Sequence, residues 1–314
     1  MIKLGSINMD VDAFTGSLLH DGTGTHNHPL NSITYTKLIM RFLELLDRHD
    51  IRATFFVVGK DLTKKENRRI ARTIVEAGHE IANHTMNHWQ WFSTLKKKEK
   101  EEEITSGQKI IEDTVGKPVK GFRAPGYTID REILDILRDC GYSYDLSVNT
   151  SLFYLLAKYI YSFYFLDKNH KRYLTYQNPR IYFAPTLPYY PDTDVYVQSD
   201  KLGLLEIPIN VVPILNVPCV SWITTNTMLN TVFYWTIKNT NQVLNFELHD
   251  FEFISHEDIG PLESSFSLQR MLKTSLKERM ERLSDRFERF KKDYQLLTMS
   301  EIAEKINASA CVKG

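Results

Sequence analysis

Four short stretches of this sequence carry side chains that could do chemistry. Met9-Asp10-Val11-Asp12 closes the first apolar run, and a turn of the chain at that strand end is expected to bring both carboxylates into one cleft. His84-Thr85-Met86-Asn87-His88 spaces two imidazoles four residues apart. On a helix that spacing is one face, and the pair can share a metal ion. In Phe122-Arg123-Ala124-Pro125-Gly126-Tyr127, Pro125 and Gly126 fix a loop from which Arg123 projects a permanent cation. Glu247-Leu248-His249-Asp250 ends a late apolar run with a histidine, in a polar stretch that continues through Glu252, His256, Glu257 and Asp258. Each stretch alone has an ordinary structural explanation: an N-cap, a surface and a core histidine, a β-turn with an exposed arginine, a loop histidine. Their joint placement carries the weight. All four fall at the ends of expected strands, where α/β barrels place their active sites.

The elements that must position these groups alternate between the two secondary-structure periods. Strands are expected at residues 4–9, 52–58, 80–82, 119–122, 204–209, 243–248 and 295–298. Between them, apolar spacing of the helical kind covers 34–49, 64–77, 95–115 and 130–140, and a long charged helix runs from about 267 to 293. Gly78, Gly116 and Gly141 stand where helices should stop. Strands alternating with helices of this length imply parallel pairing, in a barrel or an open α/β sheet. One segment breaks the rhythm. Residues 152–166, LFYLLAKYIYSFYFL, are almost wholly apolar and aromatic, and Lys168, His170, Lys171 and Arg172 follow at once. The run is too short for a membrane span, which needs about 20 residues.

With these residues in this order, the sequence resembles the polysaccharide deacetylases of carbohydrate esterase family four. DVD near the N-terminus, HTMNH, FRAPGY and a late strand-borne histidine carry the resemblance, joined by RATFFVVG, GHEIANHT and LLTMSEIA. The resemblance runs along nearly the whole chain and implies an α/β fold, a distorted (β/α) barrel formed by a single catalytic domain over 1–314, with the aromatic stretch at about 151–172 as an insertion. It implies that Asp12, His84 and His88 hold one divalent metal, that Asp10 is the general base, that Arg123 pairs with Asp10 and orients it, and that His249 is the acid protonating the leaving amine. Two departures stand out. Val11 separates the opening acids where most of the family has them adjacent, and Glu247 stands where a leucine is expected. The aspartate that tunes the acid histidine in the family has no clear match; Asp145 and Asn149 lie in the corresponding region.

The chemistry implied is hydrolysis of an amide on an N-acylated amino sugar, the acyl group being acetyl or formyl. An amide has a weakly electrophilic carbonyl and a poor leaving group, so a metal answers the first difficulty and a proton donor the second. Two imidazoles and a carboxylate suit zinc, with cobalt, nickel and iron left open. Arg123 is expected to depress the Asp10 pKa and keep it ionised. Two other readings use the same fold: a metal-free allantoinase-like or cyclic-imide amidohydrolase, and a non-catalytic glycan- or lipid-binding module. Retention of the metal triad speaks against the first, and retention of every chemical residue against the second.

Composition narrows the partners. With 39 Lys+Arg against 39 Asp+Glu in 314 residues, the chain has no global attraction to nucleic acid. Cys140, Cys219 and Cys311 form no Cys-x-x-Cys pair and read as ordinary reduced thiols. The first residues show no basic-then-apolar leader, so a cytoplasmic location is expected. The aromatic run and the basic residues after it imply peripheral contact of 152–172 with the inner membrane face, where lipid-linked sugars are presented. A helix packed on the barrel would account for the same run.

Overall fold

A computed structural model describes residues 3–12, 33–89, 92–154, 156, 178–213, 217–218, 227–259 and 272–311. Its centre is a curled sheet of parallel strands: β1 (Lys3–Val11), β2 (Thr54–Val57), β3 (Glu80–Asn83), β4 (Gly121–Phe122), β5 (Tyr144–Asp145), β6 (Leu205–Glu206), β7 (Leu244–His249) and β8 (Tyr294–Leu296). The spatial order is β7-β1-β2-β3-β4-β5-β6, and β8 also pairs with β1. Gly5 is the register partner of Leu244 on one edge and Leu296 on the other, so β8 lies below β2 along the same side of β1. The helices between strands are α1 (Ile39–Arg48), α2 (Lys65–Glu76), α3 (Lys97–Val115), α4 (Arg131–Asp139), α5 (Thr227–Lys238), α6 (Leu276–Asp293) and α7 (Met299–Cys311). This is the expected α/β architecture, a half-barrel wrapped by helices.

Local chemistry sets the element ends. Gly116 takes φ 68° past α3, a left-handed conformation that a Cβ would oppose. The side chain of Asp130 caps α4 by accepting from Ile133 N, and that of Ser275 caps α6 by accepting from Glu278 N. The charged helix therefore begins at Leu276. Its expected start near 267 lies outside the described residues. So do Cys219 and the aromatic run, apart from 152–154 and 156.

The faces of β1 divide the molecule. Ile7, Met9 and Val11 join the large apolar cluster that includes Leu38, Phe42 and Phe55, which packs the helices on the sheet. Ser6, Asn8, Asp10 and Asp12 alternate with them, are buried as well, and face inward. A second cluster fills the lower part of the interior: Phe56, Ala82, Tyr144, Leu205 and Leu297 meet Met299, Ile302 and Ala303 of α7. The wall between β6 and β7 is closed by side chains, Asn210 and the Gln242 amide that bonds it and both backbone groups of Val211. Asn210 donates from Nδ2 to Val243 O at 2.7 Å and accepts at Oδ1 from Asn245 N at 2.6 Å. One amide thus satisfies backbone groups that a strand ladder would otherwise serve.

Asp145 and Glu206 are register partners on β5 and β6, and both are fully buried. Asp145 accepts from Ser147 Oγ at 2.6 Å and Glu206 from Val148 N at 3.0 Å. Burial, and then the adjacent Asp145 charge, push Glu206 well above the ordinary carboxyl range. Burial raises Asp145 to about 6. Two acids this close share a proton. The folded state therefore binds more protons than the unfolded chain from about pH 4.5 upward, and stability falls as pH rises through the raised values. Glu206→Gln is expected to flatten this slope, so that the variant gains on wild type as pH rises from about 5 through about 6 and beyond in urea titrations. An unchanged difference between the two proteins across that range would show that the pair carries no shared proton.

Candidate active site

The inward face of β1 delivers the two acids without the turn expected from the sequence. The strand runs through Val11, and side chains two residues apart share a face, so Asp10 and Asp12 enter the cleft together. β7 supplies a matching stripe. Asn245, Glu247 and His249 alternate with Leu244, Phe246 and Leu248, and the pairing sets Asn8 beside Glu247 and Asp10 beside His249. The base and acid assigned from the resemblance are thus register partners at the mouth of the barrel.

Arg123 follows β4 and is fully buried. Its Nη1 donates to Asp10 Oδ1 at 2.5 Å and lies 3.5 Å from Glu247 Oε2, while Nη2 donates to Asn8 Oδ1 at 2.7 Å. The guanidinium carbon sits 4.0 Å from the centre of the Phe56 ring. Asn8 in turn donates to Asn245 Oδ1 at 2.9 Å. The expected Arg123–Asp10 pair is present and pulls the Asp10 pKa down as expected, but the net shift is upward. Burial outweighs the attraction of Arg123 and His249, and the Asp10 pKa is raised. That direction suits a base, which works best when its pKa approaches the working pH.

His84 and His88 come together by a route other than a helix. Residues 84–89 form an irregular loop after β3, with Thr85 at φ 65° and His88 at φ 55°. Their rings lie 4.7 Å apart. His84 Nδ1 is 2.7 Å from the Arg123 carbonyl, an acceptor, so this nitrogen carries the proton and Nε2 is the bare donor. Burial, followed by His88, lowers the His84 pKa to about 3, which keeps the ring neutral. His88 Nε2 lies 3.0 Å from Asp12 Oδ2, and His88 Nδ1 has no hydrogen-bond partner among the described residues. Burial alone would raise Asp12; His88, with His249 and His84, more than offsets it, and the carboxyl stays well below its usual range. One atom from each of Asp12, His84 and His88 falls within 4.8 Å of the others. Two imidazole nitrogens and an ionised carboxylate oxygen at this spacing fit the donor set of a divalent ion.

His249 closes the other side. Its Nε2 lies 3.7 Å from Glu247 Oε1, and its ring stacks on Phe251 with centroids 5.2 Å apart. Burial opposes its charge, but Asp12, Glu247 and Asp10 outweigh it and raise the pKa to about 9. Glu247 itself is raised, by burial first, and accepts a hydrogen bond from the Tyr127 hydroxyl. The sequence marked Glu247 only as a departure from the family pattern; here it bridges Arg123 and His249. Asp145 is engaged with Ser147 beside Glu206. Asn8, Tyr127 and Glu247 were not singled out as site residues. The available signal was polar residues at period two within strands otherwise apolar.

Residues 29–144 match the family model described as polysaccharide deacetylase. This stretch of the chain is similar to the polysaccharide deacetylases. The peptidoglycan-N-acetylglucosamine deacetylase of Bacillus cereus is 34% identical over 109 residues, 35% of this chain and 48% of that protein. A chitooligosaccharide deacetylase of Azorhizobium caulinodans is 35% identical over 99 residues, 31% of this chain and 46% of its own length. The matched region therefore spans less than half of these relatives. Among solved structures, a Mycobacterium smegmatis protein named for the polysaccharide deacetylases superposes with TM-score 0.63 at 18% identity, covering 98% of this chain and 92% of that one. An allantoinase superposes with TM-score 0.58 at 16% identity over 96% and 89% of the two chains. At such identities these two structures establish the shared fold.

Removing the central cation should be costly, because it leaves Asp10 and Glu247 facing one another in the barrel. Arg123→Met is expected to lose about 3–5 kcal/mol of stability at neutral pH, the usual cost of breaking a buried pair. The loss should shrink near about pH 5, as the two acids take up protons. Urea titration at both pH values checks this; a loss below about 1 kcal/mol would mean that the acids are held apart by other groups.

Proposed function

We propose that the protein is a hydrolase that removes an acetyl or formyl group from the nitrogen of an amino sugar, with Asp12, His84 and His88 holding one divalent metal ion. The observation that carries this reading is the pairing of Asp10 and His249 across β1 and β7 beside the buried Asp12–His84–His88 cluster. When bound, the ion would polarise the acyl carbonyl and acidify water. Zinc suits the donors best, with cobalt, nickel or iron as alternatives.

The chain's own groups divide the proton transfers. Arg123 ties down Asp10 Oδ1, while Oδ2 lies 3.8 Å from His84 Nε2 and faces the cluster. That oxygen takes the proton from water as the water oxygen bonds to the acyl carbon. His249, protonated at neutral pH, gives its proton to the nitrogen as the carbon–nitrogen bond breaks and the electron pair stays on nitrogen. The products are a free acyl acid and an amine. The relatives named for peptidoglycan-N-acetylglucosamine and chitooligosaccharide deacetylation support an N-acetylated sugar as the substrate class.

A finer reading is that the sugar is lipid-linked and met by a cytoplasmic protein at the inner membrane face. Tyr154 supports it, by anchoring the start of the aromatic run at the rim of the site. Its hydroxyl donates to Gly126 O at 3.2 Å and its ring meets Tyr127 edge-on at 5.5 Å, while Leu152, Phe153 and Leu156 beside it are about half exposed. Among the described residues no helix is long and apolar enough to cross a membrane, so this contact would be peripheral.

Two experiments follow. His84→Ala should lose the metal while keeping the fold, whereas Asp10→Asn should keep the metal and lower kcat by about 10² or more. Metal analysis with acetate or formate release from N-acyl sugars, free and lipid-linked, reads both; full metal occupancy in His84→Ala, or normal turnover in Asp10→Asn, would remove that residue from its role. Co-sedimentation with anionic vesicles should weaken with salt and disappear in a Phe153→Asp, Leu156→Asp variant. Wild-type protein left in the supernatant at low salt would make a soluble sugar the better substrate.

A further inference from the structure

The loop bearing His84 and His88 needs external support. Thr85 and His88 both sit in the left-handed backbone region, which a residue with a side chain adopts only under strain. Part of the support comes from the turn after β2: Gly59 N donates to Thr85 O at 2.9 Å and Lys60 N to Met86 O at 2.8 Å. The rest comes from α3. Glu103 is buried, and its carboxylate takes three hydrogen bonds from the two residues that flank His88. Oε2 accepts from Asn87 N at 2.8 Å, and Oε1 accepts from Asn87 Nδ2 at 2.5 Å and from Trp89 Nε1 at 3.0 Å. One turn along the same helix face, Gly107 lets α3 come close. A Cβ there would lie 2.5 Å from Asn83 Oδ1 and 3.0 Å from the Thr85 carbonyl carbon.

We propose that Glu103 is a positioning residue for the metal site: it holds Asn87 and Trp89 on either side of His88, so that the His88 ring meets Asp12 and His84 before an ion arrives. This rests on the reading of Asp12, His84 and His88 as ligands. Glu103 touches none of these three side chains and acts through the loop alone. A carboxylate suits the task because it accepts all three donors at once and offers none of its own. Glutamine at this position would keep the volume but turn one oxygen into a donor facing other donors. The ligand set itself would stay unchanged, so the effect belongs to affinity and loop order.

The test uses the full chain with zinc as the probe. Zinc affinity, read by competition with a chromophoric chelator, is expected to weaken by about 10–100-fold in Glu103→Ala, the usual cost of losing an outer-shell partner. In the metal-free protein, hydrogen exchange at the Asn87 amide should accelerate by about tenfold or more. Glu103→Gln should show both effects to a smaller degree and decides the matter if Glu103→Ala fails to fold. Glu102→Ala, one residue away and exposed, should change neither. At saturating zinc, kcat of the Glu103 variants should return close to wild type. A zinc affinity within about twofold of wild type in a folded Glu103 variant, or unchanged exchange at Asn87, overturns the inference and leaves the metal site standing. Wild-type protein that takes up no zinc, cobalt, nickel or iron overturns the metal reading, and this inference with it.

Discussion

A guanidinium buried inside a barrel has to be neutralised and hydrogen-bonded on the spot, and much of this interior answers that requirement. Arg123 cannot shed its charge. Asp10 and Glu247 supply the counter-charge, Asn8 supplies a further acceptor, and the Phe56 ring supports the flat face of the cation. Each group sits on a different strand position, so the requirement reaches β1, β2 and β7 together. It accounts for two strands with polar residues at every second position, on the inward face, where a barrel of this size would otherwise be filled by apolar side chains. It also brings the Arg123 carbonyl to His84, so the segment that neutralises the acids fixes the histidine tautomer as well.

Two aspartates on one strand, two residues apart and equally buried, meet opposite fates. Asp10 is raised because desolvation exceeds what Arg123 returns, and Asp12 is lowered because His88 lies against it. Environments that push paired groups apart in this way assign them different work. One carboxyl is held above the usual carboxylate range and the other is a fixed anion. His249 completes the arrangement, since the same anions that lower the charge of the cleft hold its proton in place.

The strands and most helices were legible, because each depends on a local signal, apolar periodicity or a glycine stop, and the six side chains expected at strand ends do lie together at the mouth of the barrel. What escaped depends on contacts between residues distant in the chain. Glu247 looked like an anomaly because its partners Arg123 and Tyr127 are more than a hundred positions away. The spacing of His84 and His88 suggested a helix, since four residues is also the reach of this loop, and nothing local marks Glu103 among its neighbouring glutamates as the residue that shapes it. The sign of the Asp10 shift was missed for a related reason. A sequence names the neighbouring cation but not the depth of burial that opposes it. The pairing of Asp145 with Glu206 was hidden because the intervening segment gives no sign of which strands end up adjacent.

The Asn210 bridge gives the barrel an uneven stiffness around its circumference. Adjoining strands elsewhere share backbone ladders, in which neighbouring bonds resist sliding together. Between β6 and β7 the described hydrogen bonds come from two side chains, Asn210 and Gln242, whose amides bond each other and the neighbouring backbone. Strain applied to the wall concentrates where side chains stand in for the ladder, so a load that widens the mouth is taken up at this seam. β1 and β2 keep their spacing, and with it the geometry of Asp10, Asp12 and the histidine loop. The molecule has in effect a hoop with one clasp, placed on the far edge of β7 from the strand that carries both aspartates.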